Sequence, residues 1–231
     1  MMQKWKWALG VAMAGCVAIA GAQSGTVSQQ RRPRHETNAS REARIARTIA
    51  EEYSHRYEFS GGGGYMRFRS GETLKKNNEV SWNVGAARFF NPEWAAIVTA
   101  QGSFGNAHAA IDNPYGVYHP HISEYFFQGG GLYRFYRREK VAVSAQAQGG
   151  VVWGLFSGGV NGSQHTGFPS TLLGIWPDGF RPSFEGGINI DYNVYPNLAL
   201  RVTPNYQGST FSGKVQNNLG FNAGIVYRWG H

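Results

Sequence analysis

The sequence predicts an all-β fold: a closed, antiparallel, eight-stranded transmembrane β-barrel of meander topology. Three observations predict it. The chain opens with an export-type leader, apolar and polar residues then alternate with period two, and short and long connections take turns between the alternating segments.

The leader has Lys4 and Lys6 ahead of an uncharged apolar run over residues 8–20, and Ala18-Ile19-Ala20 or Ala20-Gly21-Ala22 supplies small residues for a signal peptidase. Residues 1–22 are therefore expected to be a signal peptide, with the mature chain starting near Gly21 or Gln23. A membrane anchor competes with this reading, but a helical span needs about 20 apolar residues, and no stop-transfer flank follows. Met13-Ala14-Gly15-Cys16 also resembles a lipoprotein box in which Cys16 would carry lipid, although the apolar run continues past it. Cleavage after Ala20 or Ala22 leaves a mature chain without cysteine, hence without disulfides or thiol chemistry.

Composition narrows the class further. Glycine is 32 of 231 residues, aromatics are 14 %, charged residues 16 % and hydrophobic residues 42 %, yet no long apolar run follows residue 22. Alternating strands accommodate that much apolar matter without long apolar segments. The formal charge of +8 forms no coherent nucleic-acid patch, because part lies in the leader and Arg31, Arg32, Arg34, Arg41, Arg44 and Arg47 crowd before the barrel. Nucleic acid is therefore not expected as a partner; attraction of that segment to anionic surfaces is.

Residues 23–55 read as a polar periplasmic lead-in that turns weakly helical from Arg41, where Ile45 and Ile49 lie one turn apart and Arg47 can face Glu51. The barrel is expected over residues 56–231. Tyr57, Phe59, Gly61, Gly63 and Tyr65 form one face of the first strand, with Glu58, Ser60, Gly62 and Gly64 on the other. The second strand is expected over 80–90, ending in the turn Asn91-Pro92-Glu93, and the third, rich in alanine, over 94–103. The fourth and fifth, 123–136 and 141–153, exceed ordinary globular strands and suit a tilted membrane crossing. The last three alternate most clearly: Phe184, Gly186, Ile188 and Ile190; Leu200, Val202, Pro204 and Tyr206; Leu219, Phe221, Ala223, Ile225, Tyr227 and Trp229. Joins near 91–93, 137–139 and 193–197 are short, whereas those near 69–79, 104–122, 156–181 and 207–218 are expected to be long. Short turns on one side and long loops on the other are what a transmembrane barrel shows, with the short side periplasmic.

Hydrocarbon offers backbone amides no partner, so strands cross it only when the sheet closes on itself. Eight strands enclose a space that side chains fill. The alternation points Glu58, Glu124, Arg134, Glu185, Asp191, Arg201 and Arg228 into that lumen, with Glu185 or Asp191 near Arg201 and Arg228. Two readings stand: an ionic network that specifies register and plugs the lumen, or the charged gate of a narrow channel. Outward aromatics such as Tyr57, Trp82, Trp94, Tyr125, Trp153 and Trp229 are expected to form two girdles at headgroup level; the core of a soluble secreted barrel is the competing explanation.

Residues suited to catalysis are scattered. His108, His119 and His121 with Asp112 lie in or beside one loop, at spacings that specify no metal. Ser163, Ser170, His165 and Asp178 share another loop without a nucleophile elbow. Gly61-Gly62-Gly63-Gly64 lacks the Lys-Ser/Thr ending of a phosphate loop. No catalytic residue, metal site or cofactor is assigned, and the chain is not expected to be an enzyme.

Tyr57-Glu58-Phe59-Ser60-Gly61-Gly62, Ser81-Trp82-Asn83-Val84, Phe90-Asn91-Pro92-Glu93-Trp94 and the closing Gln216-Asn217-Asn218-Leu219 with Ala223-Gly224-Ile225-Val226-Tyr227-Arg228-Trp229 resemble the small eight-stranded outer-membrane barrels, the OmpA transmembrane domain and OmpX among them. The resemblance covers roughly residues 57–229 and concerns the barrel alone, with no cell-wall-binding domain of the full-length OmpA kind. It implies an integral, monomeric protein of the bacterial outer membrane, in contact with outer-membrane lipid. It also implies a last strand read by the barrel-assembly machinery through Gly224, Tyr227 and Trp229; Gly230 and His231 depart from the family's habit of ending on the aromatic. Members are anchors, adhesion or stress-related surface proteins, or narrow pores. The expectation is accordingly a non-catalytic structural or surface-interaction barrel with long extracellular loops, the alternative being a porin-like channel gated by the inward charges. A surface ligand would meet Tyr115, Tyr118, Phe168, Leu172, Leu173 and Trp176, which are expected to be exposed.

Overall fold

A computed structural model describes residues 37–108, 119–156, 170–211 and 213–230. The expected signal peptide and the first part of the lead-in lie outside the described residues. The elements in chain order are α1 (Asn38–Glu52), β1 (Tyr57–Arg69), β2 (Lys76–Phe89), β3 (Trp94–Asn106), β4 (His121–Arg137), β5 (Val141–Leu155), β6 (Gly179–Tyr195), β7 (Leu198–Phe211) and β8 (Lys214–Trp229). Each strand pairs antiparallel with the next, and β1 pairs with β8 from Tyr57↔Trp229 to Arg67↔Leu219, closing the barrel. Closure leaves no strand edge without a ladder partner.

Every strand buries alternate residues, and the buried ones are largely polar. Gln101, Ser103, Glu124, Gln128 and Arg134 are buried inward, while Val80, Val98, Phe127, Leu200 and Ile225 are exposed on the outer wall. This inverts the pattern of a soluble barrel and matches the two faces read from the alternation. Both mouths carry an apolar cluster. At the mouth shared with α1 it is Ala87, Phe89, Ala95, Ile97 and Leu132. At the other, where the larger loops emerge, Phe68, Ile122, Phe126, Phe156 and Phe211 pack with Leu173, Ile175 and Trp176.

Several expectations are corrected. The strands extend further than the apolar alternation does, so Glu79 belongs to β2 and is buried, where a loop was expected. β7 runs to Phe211 and β8 starts at Lys214, its ladder partner, with Gly213 just before it at φ +74, where a long loop was expected. The ladder from Gln207↔Asn218 to Phe211↔Lys214 is formed mainly by polar residues and glycine, with Val215 and Phe211 the exceptions on opposite faces, so it shows little apolar contrast for a periodicity to reveal. Leu173 and Trp176 are buried in the loop-bearing mouth, and among the described members of that group Leu172 alone is exposed; Tyr115, Tyr118 and Phe168 lie outside the described residues. Their apolar surface has the open end of the barrel to cover, which a loop reading cannot see.

Helix α1 begins earlier than expected. Thr37, extended at φ −67 and ψ 152, caps it by accepting a hydrogen bond from the Ser40 amide at 3.3 Å. Ile45, Thr48 and Ile49 are its half-covered positions. The chain then passes into β1 through Arg56, whose amide donates to the Gly230 carbonyl at 3.0 Å and whose carbonyl accepts from the Phe89 amide at 2.7 Å.

Candidate functional site: the charged lumen

Near the helix-bearing mouth, inward positions of five strands converge. Glu58 on β1 is the central anion: it accepts from Arg134 of β4, from Arg228 Nε of β8 at 2.9 Å through Oε1, and from Arg201 Nη2 of β7 at 2.9 Å through Oε2. Asp191 of β6 takes Arg201 side-on, Nε to Oδ1 at 2.6 Å and Nη2 to Oδ2 at 2.8 Å, and also accepts from Arg228 Nη2 at 3.1 Å. All five side chains are buried. Ladder partners explain part of this, since Asp191 lies opposite Arg201 and Glu58 opposite Arg228. Two carboxylates face three guanidiniums, and the dense, two-toothed bonding offsets the cost of removing these charges from water.

A second layer, which sequence reasoning missed, continues the network toward α1. Arg228 Nη1 donates to Asn193 Oδ1 at 2.8 Å, and Asn193 Nδ2 donates to Glu52 Oε2 at 3.2 Å and to the Tyr53 hydroxyl oxygen at 2.8 Å. Glu52 thus joins a third carboxylate to the network, linked to Arg228 through Asn193. Tyr53 donates to the Arg138 carbonyl at 2.9 Å, and its ring lies under the guanidiniums of Arg134 and Arg228, 5.0 and 5.5 Å from the centroid. Burial raises the Glu52 carboxyl above its ordinary value, opposed by Arg228 and the Asn193 hydrogen bond. Nothing in the lead-in's composition marked Glu52 or Tyr53, because their partners are brought close only by ring closure.

Glu185 and Glu124, expected among these charges, stand apart from them. Glu185 accepts from Gln146 Nε2 at 2.9 Å, and the chain runs on through Asn189 to Thr203. These groups, with Gln101 and Asn222, line a cavity of about 50 Å³ in mid-barrel, large enough for a few waters. Glu124 is buried toward the loop-bearing mouth, on the far side of β3 from Glu79; Glu79 accepts from Asn77 Nδ2 at 2.8 Å. The apolar cluster around Phe68, Phe156 and Phe211 closes the lumen above them, with the Trp176 indole donating to the Arg69 carbonyl at 2.9 Å.

Residues weighed for catalysis have structural partners. Ser170 donates to the Trp176 carbonyl at 2.9 Å, and Asp178 accepts from the Phe156 amide at 2.6 Å; Ser163, His165 and Asp112 lie outside the described residues. His108 and His119 meet edge to face at 5.3 Å. Among the described residues no three His, Cys, Asp or Glu side chains are grouped to hold a metal.

At the β1–β8 seam Gly224 sits opposite Gly62 with the inward parity of Arg228 and Glu58, while Tyr227 and Trp229 face outward, Trp229 stacked on both Tyr227 and Tyr57 at 5.9 Å.

No family model and no curated protein sequence matches the chain. Solved structures do. Neisserial surface protein A superposes with a TM-score of 0.52 at 16 % identity, over 75 % of this chain and 97 % of that one. The outer membrane protein OprG from Pseudomonas aeruginosa superposes with a TM-score of 0.50 at 10 % identity, over 78 % of this chain and 99 % of that one. Likeness at such identities is a likeness of fold: the chain shares the closed eight-stranded barrel of bacterial outer-membrane proteins.

Proposed function

We propose that this chain is an integral, monomeric outer-membrane protein that acts as a structural or surface-interaction barrel, without catalytic activity and without a conducting lumen. In this reading residues 1–22 are a signal peptide, 23–55 a periplasmic lead-in and 56–231 the barrel. The helix-bearing mouth then faces the periplasm and the loop-bearing mouth faces outward. Gly224, Tyr227 and Trp229 form the strand end that the barrel-assembly machinery reads, and Glu58, Arg134, Asp191, Arg201 and Arg228 with Glu185 and Glu124 serve to hold the strands in register.

One observation carries the choice of anchor over channel: the lumen is filled at two levels. Buried arginines bonded to Glu58 and Asp191 occupy one end, and Phe68, Phe156, Phe211 and Trp176 occupy the other. A solute would have to displace both a desolvated ionic lattice and a packed aromatic plug. The exposed apolar outer wall supports the membrane location.

Membrane fractionation followed by gel migration with and without boiling tests the location: a detergent-requiring species with heat-modifiable mobility is expected, and a free monomer in buffer overturns the reading. Planar-bilayer recording then tests the filled lumen. Silence is expected from the parent; steady conductance that changes in Arg201→Ala makes the protein a charged channel instead.

A further inference from the structure

The outer wall changes character around its circumference near the loop-bearing mouth. Across β3, β4, β5 and β6 its boundary is an unbroken row of rings, Phe104, Tyr125, Trp153 and Phe180, with successive centroids 5.8, 5.8 and 5.6 Å apart. On the remaining wall, where β8, β1 and β2 adjoin, cations stand in its place. Arg67 and Arg69 project outward from β1, and Lys76 lies on β2 with Lys75 just before it. Their neighbours Met66, Phe68 and Asn77 are the buried, inward residues. One step toward the membrane's middle the same wall is apolar again, with Val80, Leu219 and Phe221 exposed.

Pairing within the protein does not explain this arrangement. Arg69 lies directly opposite Lys76 in the ladder, and like charges so placed destabilise a sheet. Lys214 has Glu72 as its partner, and Lys76 Nζ donates to the Asn217 carbonyl at 3.0 Å. Among the described residues, Arg67, Arg69 and Lys75 form no ion pair. The nearby side-chain acceptors are already taken: Asn78 Oδ1 accepts from the Tyr65 hydroxyl, and Asn217 Oδ1 from that of Tyr206. An external anion is what would relieve the repulsion. Guanidinium forks match the oxygens of a phosphate, and the ammonium groups add compact charge beside them. The level at which they stand selects a lipid over a soluble anion, since interfacial aromatics mark the headgroup region and these cations continue that row.

We infer that Arg67, Arg69, Lys75 and Lys76 form a site for the headgroup phosphate of an anionic lipid in the leaflet at the loop-bearing mouth. The site rests on the membrane reading above and adds to it a lipid class and a fixed position on the wall. It gives the barrel a front and a back: rings line the boundary on four strands, and the cationic segment retains a phosphorylated headgroup.

The full chain, refolded in detergent, is heated with bisphosphorylated lipid A or with the same lipid after removal of its phosphates, and loss of the folded gel band is timed. Unfolding roughly tenfold slower with the phosphorylated lipid is expected. The Arg67→Gln/Arg69→Gln variant should lose that difference, while Arg88→Gln, exposed at the opposite mouth, should keep it. Should the double variant fail to fold, Lys75→Gln/Lys76→Gln is to show a reduced difference. Equal protection by both lipids, or undiminished protection of the variants, overturns the inference. So does an equal effect from inorganic phosphate at matched concentration, which would make the site one for soluble anions. A chain recovered from buffer without detergent fails the membrane reading itself and is recognised before any lipid is added.

Discussion

Glu58 and Arg228 lie opposite each other across the seam that closes the barrel, Arg228 Nε donating to Glu58 Oε1 at 2.9 Å. The first and last strands are thus joined by a buried ion pair as well as by the backbone ladder. The same Glu58 holds Arg134 and Arg201, so one carboxylate ties the seam to the opposite wall.

Glu58→Ala should therefore be the costliest single change in the lumen. It leaves three buried guanidiniums short of an anion, a loss of about 3–5 kcal/mol. Glu185→Gln, whose neighbour Gln146 is neutral, should cost about 1 kcal/mol. Urea unfolding of both variants in detergent, followed by gel mobility, compares them, and equal losses would contradict the central role of Glu58.

Glycine is demanded at the seam by close approach. A Cβ on Gly224 would lie 2.8 Å from the Cα of Gly62, and one on Gly62 would lie 2.6 Å from the Cα of Gly224. Gly224→Ala should destabilise by about 1–3 kcal/mol through overpacking, and Gly131→Ala, with open space around it, should be close to neutral. Refolding yield and unfolding midpoint distinguish the two.

Trp176 closes the loop-bearing mouth from a loop. Trp176→Ala should cost about 3–5 kcal/mol and should make the segment around residues 170–178 sensitive to protease, whereas the exposed Leu172→Ala should change stability by less than about 0.5 kcal/mol. Similar protease patterns in the two variants would show that the indole is not what holds the loop.

Docking of the end of α1 should depend on pH through Glu52. Its carboxyl is raised by burial above the ordinary value of 4.5, so the docked state binds the proton more readily than the undocked one. That contribution is complete below the ordinary value and is lost as pH rises through the raised one. Protease protection of residues 37–55 should accordingly be greatest in acid and decline above that range, and Glu52→Gln should flatten the profile. A profile unchanged in the variant would assign the dependence elsewhere.

The strands were legible where one face is apolar and the other polar. Phe184 to Ile190 and Leu219 to Trp229 announce themselves by alternation, and turns such as Asn91-Pro92-Glu93 mark their ends. The ladder of residues 207–211 with 214–218 was not legible, since polar residues and glycine predominate on both faces there. Of the lumen charges, the inward direction of Glu58, Arg134, Asp191, Arg201 and Arg228 followed from parity. Their partners followed only in part, because Glu185 and Asp191 were equal candidates for Arg201 on sequence grounds.

Periodicity is a local property of the chain, and by itself it determined that this protein is a sheet with a greasy side and a charged side, and that such a sheet must curl shut to cross lipid. Which charge meets which depends on distances across the ring. These are set by closure and stagger, and they bring Glu58 to Arg134 and Asn193 to Glu52 over long separations in sequence. The tertiary structure alone also decided that Trp176 faces inward as a plug, since the opening it fills exists only once eight strands have closed around it.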